Sequence, residues 1–472
     1  MLCAAPTGTV RLLDRLSDLD AVFLAGESPT QHLHVLATLV LERSAHGGGD
    51  DYERFQARVA ERFHLIEPLR RRLRRVPFGP PAWTDDPDIH VQRHLHHVVL
   101  GEGGGLDALA LTASDIASYP LPKDRPLWEA WFVEGMDKSH AAVIAKIHHC
   151  AVDGVSGFFA LAAFFDAEPF PAPPPSPPSW EPAAPPRPVD VGRAVVDDLL
   201  RRPAAAARGL GRAVSSTAAL VRAPRVQAPL PFSGPRMSYN RALTSRRSVA
   251  YASVPRQDIE QIRSGVGASV NDVLVALCAG VLRRYAIKHD ELPARPMVAG
   301  VPVSERTPED PLTGNQLSFM FYGLPVHLED PRERLAFVSR SATAVKDIYA
   351  RAGRGLFSGL ASLAPTKALG PIMRALSGVH AANVMRPVVN VLISNIRGPD
   401  VPMYVAGDEV SSIFPMGPLI EGVGLGVTVV SYRHEVSFGF MACAELVPDI
   451  HELTTGTHLE VARMLDALSP DA

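Results

Sequence analysis

Between Asp166 and Asp190 the chain reads DAEPFPAPPPSPPSWEPAAPPRPVD, eleven prolines in twenty-five residues. Each proline removes a backbone donor and pushes its predecessor out of the helical region, so neither helix nor ladder persists through such a stretch. A semi-extended linker is predicted. It divides the chain into residues 1–168, a proline-rich connection over 169–190, and residues 191–472. The competing reading is a long surface loop within one domain. The length of 472 residues favours two units, because a single core seldom serves more than about 200 residues.

Each part holds enough apolar material for its own core: 46% of residues are hydrophobic and 21% charged, a globular composition. A formal net charge of −3 argues against a nucleic-acid partner. Cys3, Cys150, Cys278 and Cys443 form no CxxC pair, which speaks against a disulfide framework or a structural zinc site and for a reducing cytoplasm. The first twenty residues meet Arg11 and Asp14 before any long apolar run and do not read as a secretory signal. No run of about 18 apolar residues suggests a membrane-spanning helix.

Periodicity places the elements. HVLATLVLE (34–42) and LWEAWFVEGM (127–136) read as strands, being rich in β-branched and aromatic residues. Residues 50–75 read as one helix, with Tyr52, Phe55, Val59 and Phe63 at helical spacing. In the second part, 271–289 is a helix. Strands are expected over 297–303, 316–326, 389–396, 425–432 and 435–442. The last two, separated by Arg433 and His434, form a hairpin. Strands interspersed with long helices in both parts predict an α/β or α+β sandwich. PAAAARGLGRAVSSTAALVRA (203–223) and the segment 353–378 are amphipathic or rich in small residues. Such helices cover a core or lie in a lipid interface, and both readings stand.

The segment KIHHCAVDGVSG (146–157) carries the chemistry. Residues 141–149 are strand-like, and side chains alternate in a strand. Val143, Ala145, Ile147 and His149 therefore share one face, and Ile144, Lys146 and His148 the other. After Gly154, Phe158, Leu161, Ala162 and Phe165 recur at helical spacing. The unit is strand, tight loop, helix, a place where a rigid scaffold presents polar groups. Histidine suits general-base work because its pKa lies near neutral pH. Asp153 would pin the loop, and Gly154 permits a backbone conformation that a Cβ would block. A histidine beside an aspartate is most often a satisfied polar pair. The whole pattern at a strand–helix junction points to function instead.

The pattern resembles the HHxxxDG signature of CoA-dependent acyltransferases, the superfamily of chloramphenicol acetyltransferase and peptide-synthetase condensation domains. LSDLDAVFLAGESPTQHLHV (16–35), RPLWEAWFVEGM (125–136), ASVNDVLVALCAGVLRRY (268–285) and the stretch from Ser394 to Tyr432 narrow it. Together they resemble the bacterial wax ester synthase/diacylglycerol acyltransferase family over residues 12 to 465. The resemblance implies an α/β (α+β) two-lobed fold of the chloramphenicol acetyltransferase type, with mixed sheets flanked by helices and an active-site tunnel between the lobes.

It implies that His149 takes the proton from an acceptor hydroxyl, which then attacks the thioester of acyl-CoA. His148 would support the site and Asp153 would hold the loop, with Arg306 in VPVSERTP as its partner. The acceptor would be diacylglycerol or a fatty alcohol, acyl-CoA being a substrate and no cofactor being needed. Asn271, in the VNDV stretch with Asp272, and Ser394 or Asn395 in ISNIRGP are candidates for oxyanion donors. For Asn271 a helix-start hydrogen bond is an equal reading.

Pro126, Leu127 and Trp128 form the family's PLW motif, linked to the substrate channel, although core packing of Trp128 is the plainer reading. LRRRLRR (69–75) reads as a CoA-phosphate contact or a solvated helix end. GEGGG (101–105) reads as a turn with no helix after it. No metal-ligand constellation is present. The expected location is cytoplasmic, with peripheral contact at the inner membrane face or lipid droplets left open. Two other functions stand beside acyl transfer to a hydroxyl: an amide-forming condensation enzyme and a non-catalytic lipid-binding protein of storage droplets.

Overall fold

The computed structural model describes residues 14–44, 51–76, 81–101, 103–152, 164–169, 171, 181–183, 187–193, 196, 229–305, 315–352 and 366–468. Asp153, Gly154, Arg306, the helix expected after Gly154, most of the proline-rich segment and residues 203–223 lie outside them.

Fifteen strands occur among the described residues. Two, β1 (Asp14–Arg15) and β2 (His34–Glu42), precede the helix α2 (Asp51–Arg62). Next come β3 (Arg71–Arg74), β4 (Ala82–Asp85), β5 (Leu95–Val99), β6 (Trp128–Glu134) and β7 (His140–His148). The second half supplies β8 (Arg247–Pro255), β9 (Met297–Ser304), β10 (Leu317–Leu324) and β11 (Val391–Arg397). The last are β12 (Tyr404–Val405), β13 (Asp408–Met416), β14 (Leu425–Tyr432) and β15 (Glu435–Cys443).

The strands build two six-stranded sheets and a small one. The first large sheet has the order β12-β13-β2-β7-β6-β5, the second β10-β9-β11-β14-β15-β8, and the small sheet β1-β4-β3. Both large sheets are mixed: β5 runs parallel to β6, and β11 runs parallel to β9 and β14. The protein thus has a mixed α/β two-lobed architecture.

In the first lobe, β7 alternates as its sequence predicts. Val143 and Ile147 join a core with Phe55 and Val59 of α2. Ala142 and Ile144 join a separate core with Leu109, Ala113 and Ile116 of α4 (Gly105–Ala117). In the second lobe, α5 (Arg256–Val266), α6 (Val270–Lys288), α7 (Pro331–Ala352) and α9 (His451–Leu468) cover the sheet. Alpha-6 is apolar almost all round and is correspondingly buried on nearly every side. Ser269 caps it by accepting the Asp272 N–H at 3.1 Å.

Strand β13 joins the lobes. It follows the proline-rich segment in sequence, yet it pairs antiparallel with β2, Ile413 opposite Leu39 and Met416 opposite Leu36. Its other side lies against β15 at Gly439. A Cβ built at Gly439 would stand 2.1 Å from the Pro415 carbonyl oxygen, so only glycine admits this crossing.

Two expectations change, and a third is met where the chain is described. Residues 50–75 are not one helix: α2 ends at Arg62, a 3-10 turn spans Phe63–Leu65, the short α3 spans Glu67–Arg70, and β3 follows. Pro68, in the first turn of α3, lacks the N–H that a continuous helix would need. GEGGG does lead into a helix, because α4 begins at Gly105. Of 353–378, the described part is helix α8 (Thr366–Gly378).

Candidate active site

A cavity of about 210 Å³ lies between the two large sheets. Its walls include Ala145 and Ile147 of β7, Leu392, Ser394 and Ile396 of β11, and Met416 of β13. His149 lines it and is 8% exposed. Among the described lining residues it is the one titratable side chain; the remaining polar ones are Ser304, Ser394, Asn395 and Thr428. An apolar cleft lined by an imidazole can hold an alkyl chain and move a proton.

His149 immediately follows β7. Its N–H donates to the Leu33 carbonyl at 2.8 Å, and its own carbonyl accepts from the Asn315 side-chain amide at 2.6 Å. Its ring stacks on Phe23 of α1 (Asp18–Gly26) with centroids 4.4 Å apart and planes 14° from parallel.

His148 points the other way, as strand alternation requires, and does not line the cavity. Its Nδ1 accepts the Cys150 N–H at 3.1 Å, which places the ring proton on Nε2. Nε2 lies 3.8 Å from Glu27 Oε1. Burial, reinforced by the charges of Lys123 and His149, pushes its pKa down to about 3. On the same face, Lys146 donates to the carbonyls of Ile116 and Tyr119 at 3.0 and 2.6 Å. His34, opposite His148 in the ladder, donates through Nε2 to Ala117 at 3.1 Å. These groups satisfy the open carbonyls at the C-terminal end of α4. Burial lowers the Lys146 pKa to about 8.

The remaining candidates divide. Ser394 lines the cavity with its face-mates Leu392 and Ile396, and Asn395 lines it as well. Asn271 and Asp272 do not line it. They occupy the first turn of α6, where Asp272 accepts the Ser339 hydroxyl at 3.2 Å. Pro126, Leu127 and Trp128 also stand back from the cavity. The Leu127 carbonyl accepts the His148 N–H at 3.0 Å, and Trp128 Nε1 donates to Leu69 at 2.8 Å. Trp128 borders a smaller apolar cavity that shares Leu39, Ala145, Ile147 and Phe165 with the main one. In LRRRLRR, Arg71 pairs with Asp14 at 2.6 Å and Arg72 with Asp86 at 3.2 Å, so both guanidiniums are engaged within the protein.

A family model described as the wax ester synthase/diacylglycerol acyltransferase catalytic domain matches residues 16–274, and one described as the WS/DGAT C-terminal domain matches 313–464. The chain belongs to the wax ester synthase/diacylglycerol acyltransferase family. It is therefore an acyltransferase of the WS/DGAT type.

Two Mycobacterium tuberculosis H37Rv proteins, each named "Putative diacyglycerol O-acyltransferase", are similar over most of this WS/DGAT chain. One is 34% identical, covering 94% of this chain and 88% of its own; the other is 33% identical, covering 94% of each. The fold is that of a Marinobacter aquaeolei VT8 wax ester synthase/diacylglycerol acyltransferase, with a TM-score of 0.69 and 24% identity over 96% of this chain and 99% of that one. It also resembles the first condensation domain of the calcium-dependent antibiotic synthetase, with a TM-score of 0.59 and 18% identity over 98% of each chain.

Phe23, Asp20 and Asn315 were not anticipated as site residues. Phe23 and Asp20 lie in the family-like stretch 16–35, which could have drawn attention to them. Nothing local marks Asn315.

Proposed function

We propose that this WS/DGAT protein moves a long-chain fatty acyl group from acyl-CoA to the hydroxyl of diacylglycerol, of a long-chain alcohol, or of both, with His149 as general base. The observation that carries the reading is that His149 is, among the described lining residues, the titratable group of an apolar cleft between the lobes. Neutral His149 accepts the proton of the acceptor hydroxyl, and the oxygen bonds to the thioester carbonyl carbon. The tetrahedral oxyanion then collapses, the carbon–sulfur bond breaks, and the thiolate takes the proton back from His149. Ser394 and Asn395, on the cavity wall, are the candidate donors to the oxyanion. Asp153 and Gly154 would shape the loop beyond His149, with Arg306 as the partner of Asp153.

The substrates are acyl-CoA and a hydrophobic acceptor, and peripheral lipid contact on the cytoplasmic side accompanies them. Ile372, Leu376, Val379, Val384 and Met385 are exposed on and just after α8, beside Arg374 and Arg386. Helix α8 packs near α1, with Thr30 and Ser377 hydroxyls 2.8 Å apart. Among the described residues no single helix is long and apolar enough to cross a membrane.

Thiol release from palmitoyl-CoA tests the chemistry, with hexadecanol, a diacylglycerol or hexadecylamine offered separately to wild type and His149→Ala. Release that requires a hydroxyl acceptor and falls by about 10²–10⁴-fold in the variant supports the reading. The preferred acceptor names the product. Release with the amine alone favours amide condensation, and equal release in the variant removes His149 as base.

A further inference from the structure

Asn315 stands just before β10, on the edge of the second sheet, while His149 and α1 belong to the first lobe. Its side chain is almost fully buried. The amide nitrogen donates to the His149 carbonyl at 2.6 Å and to Asp20 Oδ1 at 2.5 Å, and the Asn315 backbone N–H donates to the same oxygen at 3.1 Å. The amide orientation follows from chemistry: a backbone carbonyl only accepts, so nitrogen must face His149. Asp20 is 2% exposed and sits in the first turn of α1. Three residues further along that helix, Phe23 stacks on the imidazole.

Three contacts among the described residues hold His149. Its N–H is bonded to Leu33, its ring lies on Phe23, and its carbonyl is bonded to Asn315. The first two contacts come from its own lobe. The third reaches across from the second lobe, and Asp20 holds the amide that makes it.

We infer that Asp20 and Asn315 form an inter-lobe latch that positions the imidazole of His149 against the substrate cavity. Both are positioning residues, since neither lines the cavity. The inference rests on His149 being the proposed base. A displacement of about 1 Å at a reacting group can cost on the order of 10²-fold in rate. Loss of the latch should therefore lower kcat and leave binding of the acyl chain, which other walls supply, nearly intact.

Four variants test it: Asn315→Ala, Asn315→Asp, Asp20→Asn and the exchange Asp20→Asn/Asn315→Asp. In the exchange, the amide at position 20 can donate to the carboxylate at 315 and restore the bridge between lobes. The His149 carbonyl then faces a carboxylate and loses the Asn315 amide that donates to it. The expected result is a thermal midpoint that recovers toward wild type in the exchange while kcat stays roughly 10–100-fold low, with KM for palmitoyl-CoA changed less than about threefold. Full recovery of kcat in the exchange, or unchanged kcat in Asn315→Ala, overturns the inference. If Asn315→Ala does not fold, the exchange still decides.

An independent measurement uses protein carrying ¹³C-histidine, with the His149 ring resonance identified by its loss in His149→Ala. That resonance should shift or broaden in the exchange relative to wild type. An unmoved resonance overturns the latch whether or not the protein turns over substrate. Wild type lacking activity with every acceptor would instead overturn the proposed reaction.

Discussion

His148 holds its Nδ1 against the Cys150 N–H, away from the cavity, while the next residue lines it. Asparagine places an acceptor near the Nδ1 position, so His148→Asn should keep most of the thiol-release activity and His149→Asn should not. A pH effect accompanies this. Burial drives the pKa of His148 to about 3 and that of His32 to about 4, and places that of His34 well below its ordinary value. In the unfolded chain each takes up a proton once the pH falls below about 6.5. The folded state does not, so the stability these neutral rings contribute above pH 6.5 is lost as pH falls through the window from 6.5 to about 3. Each tenfold difference in proton affinity is worth about 1.4 kcal/mol. Urea unfolding from pH 7.5 to 4.5 should show this slope, and His148→Asn should flatten it. An unchanged slope would mean that His148 titrates alike in both states.

Among the elements, β13 decides the shape of the site. It supplies Pro415 and Met416 to the cavity wall while pairing with β2. The close pass at Gly439 involves backbone rather than a flexible side-chain end, so it cannot be relieved by a rotamer change. Gly439→Ala should destabilise by about 1–3 kcal/mol, the usual effect of overpacking, and should also lower activity by displacing Pro415. Thermal unfolding and thiol release on the same sample check both. A variant with wild-type stability would show that the crossing has slack. The 50–75 segment teaches the complementary lesson. Tyr52, Phe55, Val59 and Phe63 gave a sound helical signal, but Pro68 and the pairing of Leu73 with Trp83 end the helix and begin a strand.

On the scale of the whole molecule, two sheets enclose the cavity, and an exposed apolar surface lies on and beyond α8. Val379 and Val384 are 74% and 83% exposed. If this surface meets lipid, Val379→Asp/Val384→Asp should reduce sedimentation with diacylglycerol-containing vesicles. It should slow transfer to vesicle-borne diacylglycerol and spare transfer to a short, soluble alcohol, because the substituted residues lie outside the cavity lining. Equal vesicle binding by the double variant would remove this surface as the contact.

Much of the fold was legible because it is written in local periods. Alternation in β7 put His148 and His149 on opposite faces, and the apolar run after Ser269 announced α6. These patterns depend only on near neighbours, and near neighbours set backbone geometry. His149, the proposed base, was legible for the same reason, as part of a short motif at the end of a strand. What tertiary structure alone decided is contact between distant residues. Asn315 reaches the His149 carbonyl across 166 positions, and β13 pairs on one side with β2, from the far end of the chain. Neither carries a local signal, because such contacts depend on how the two sheets close on one another.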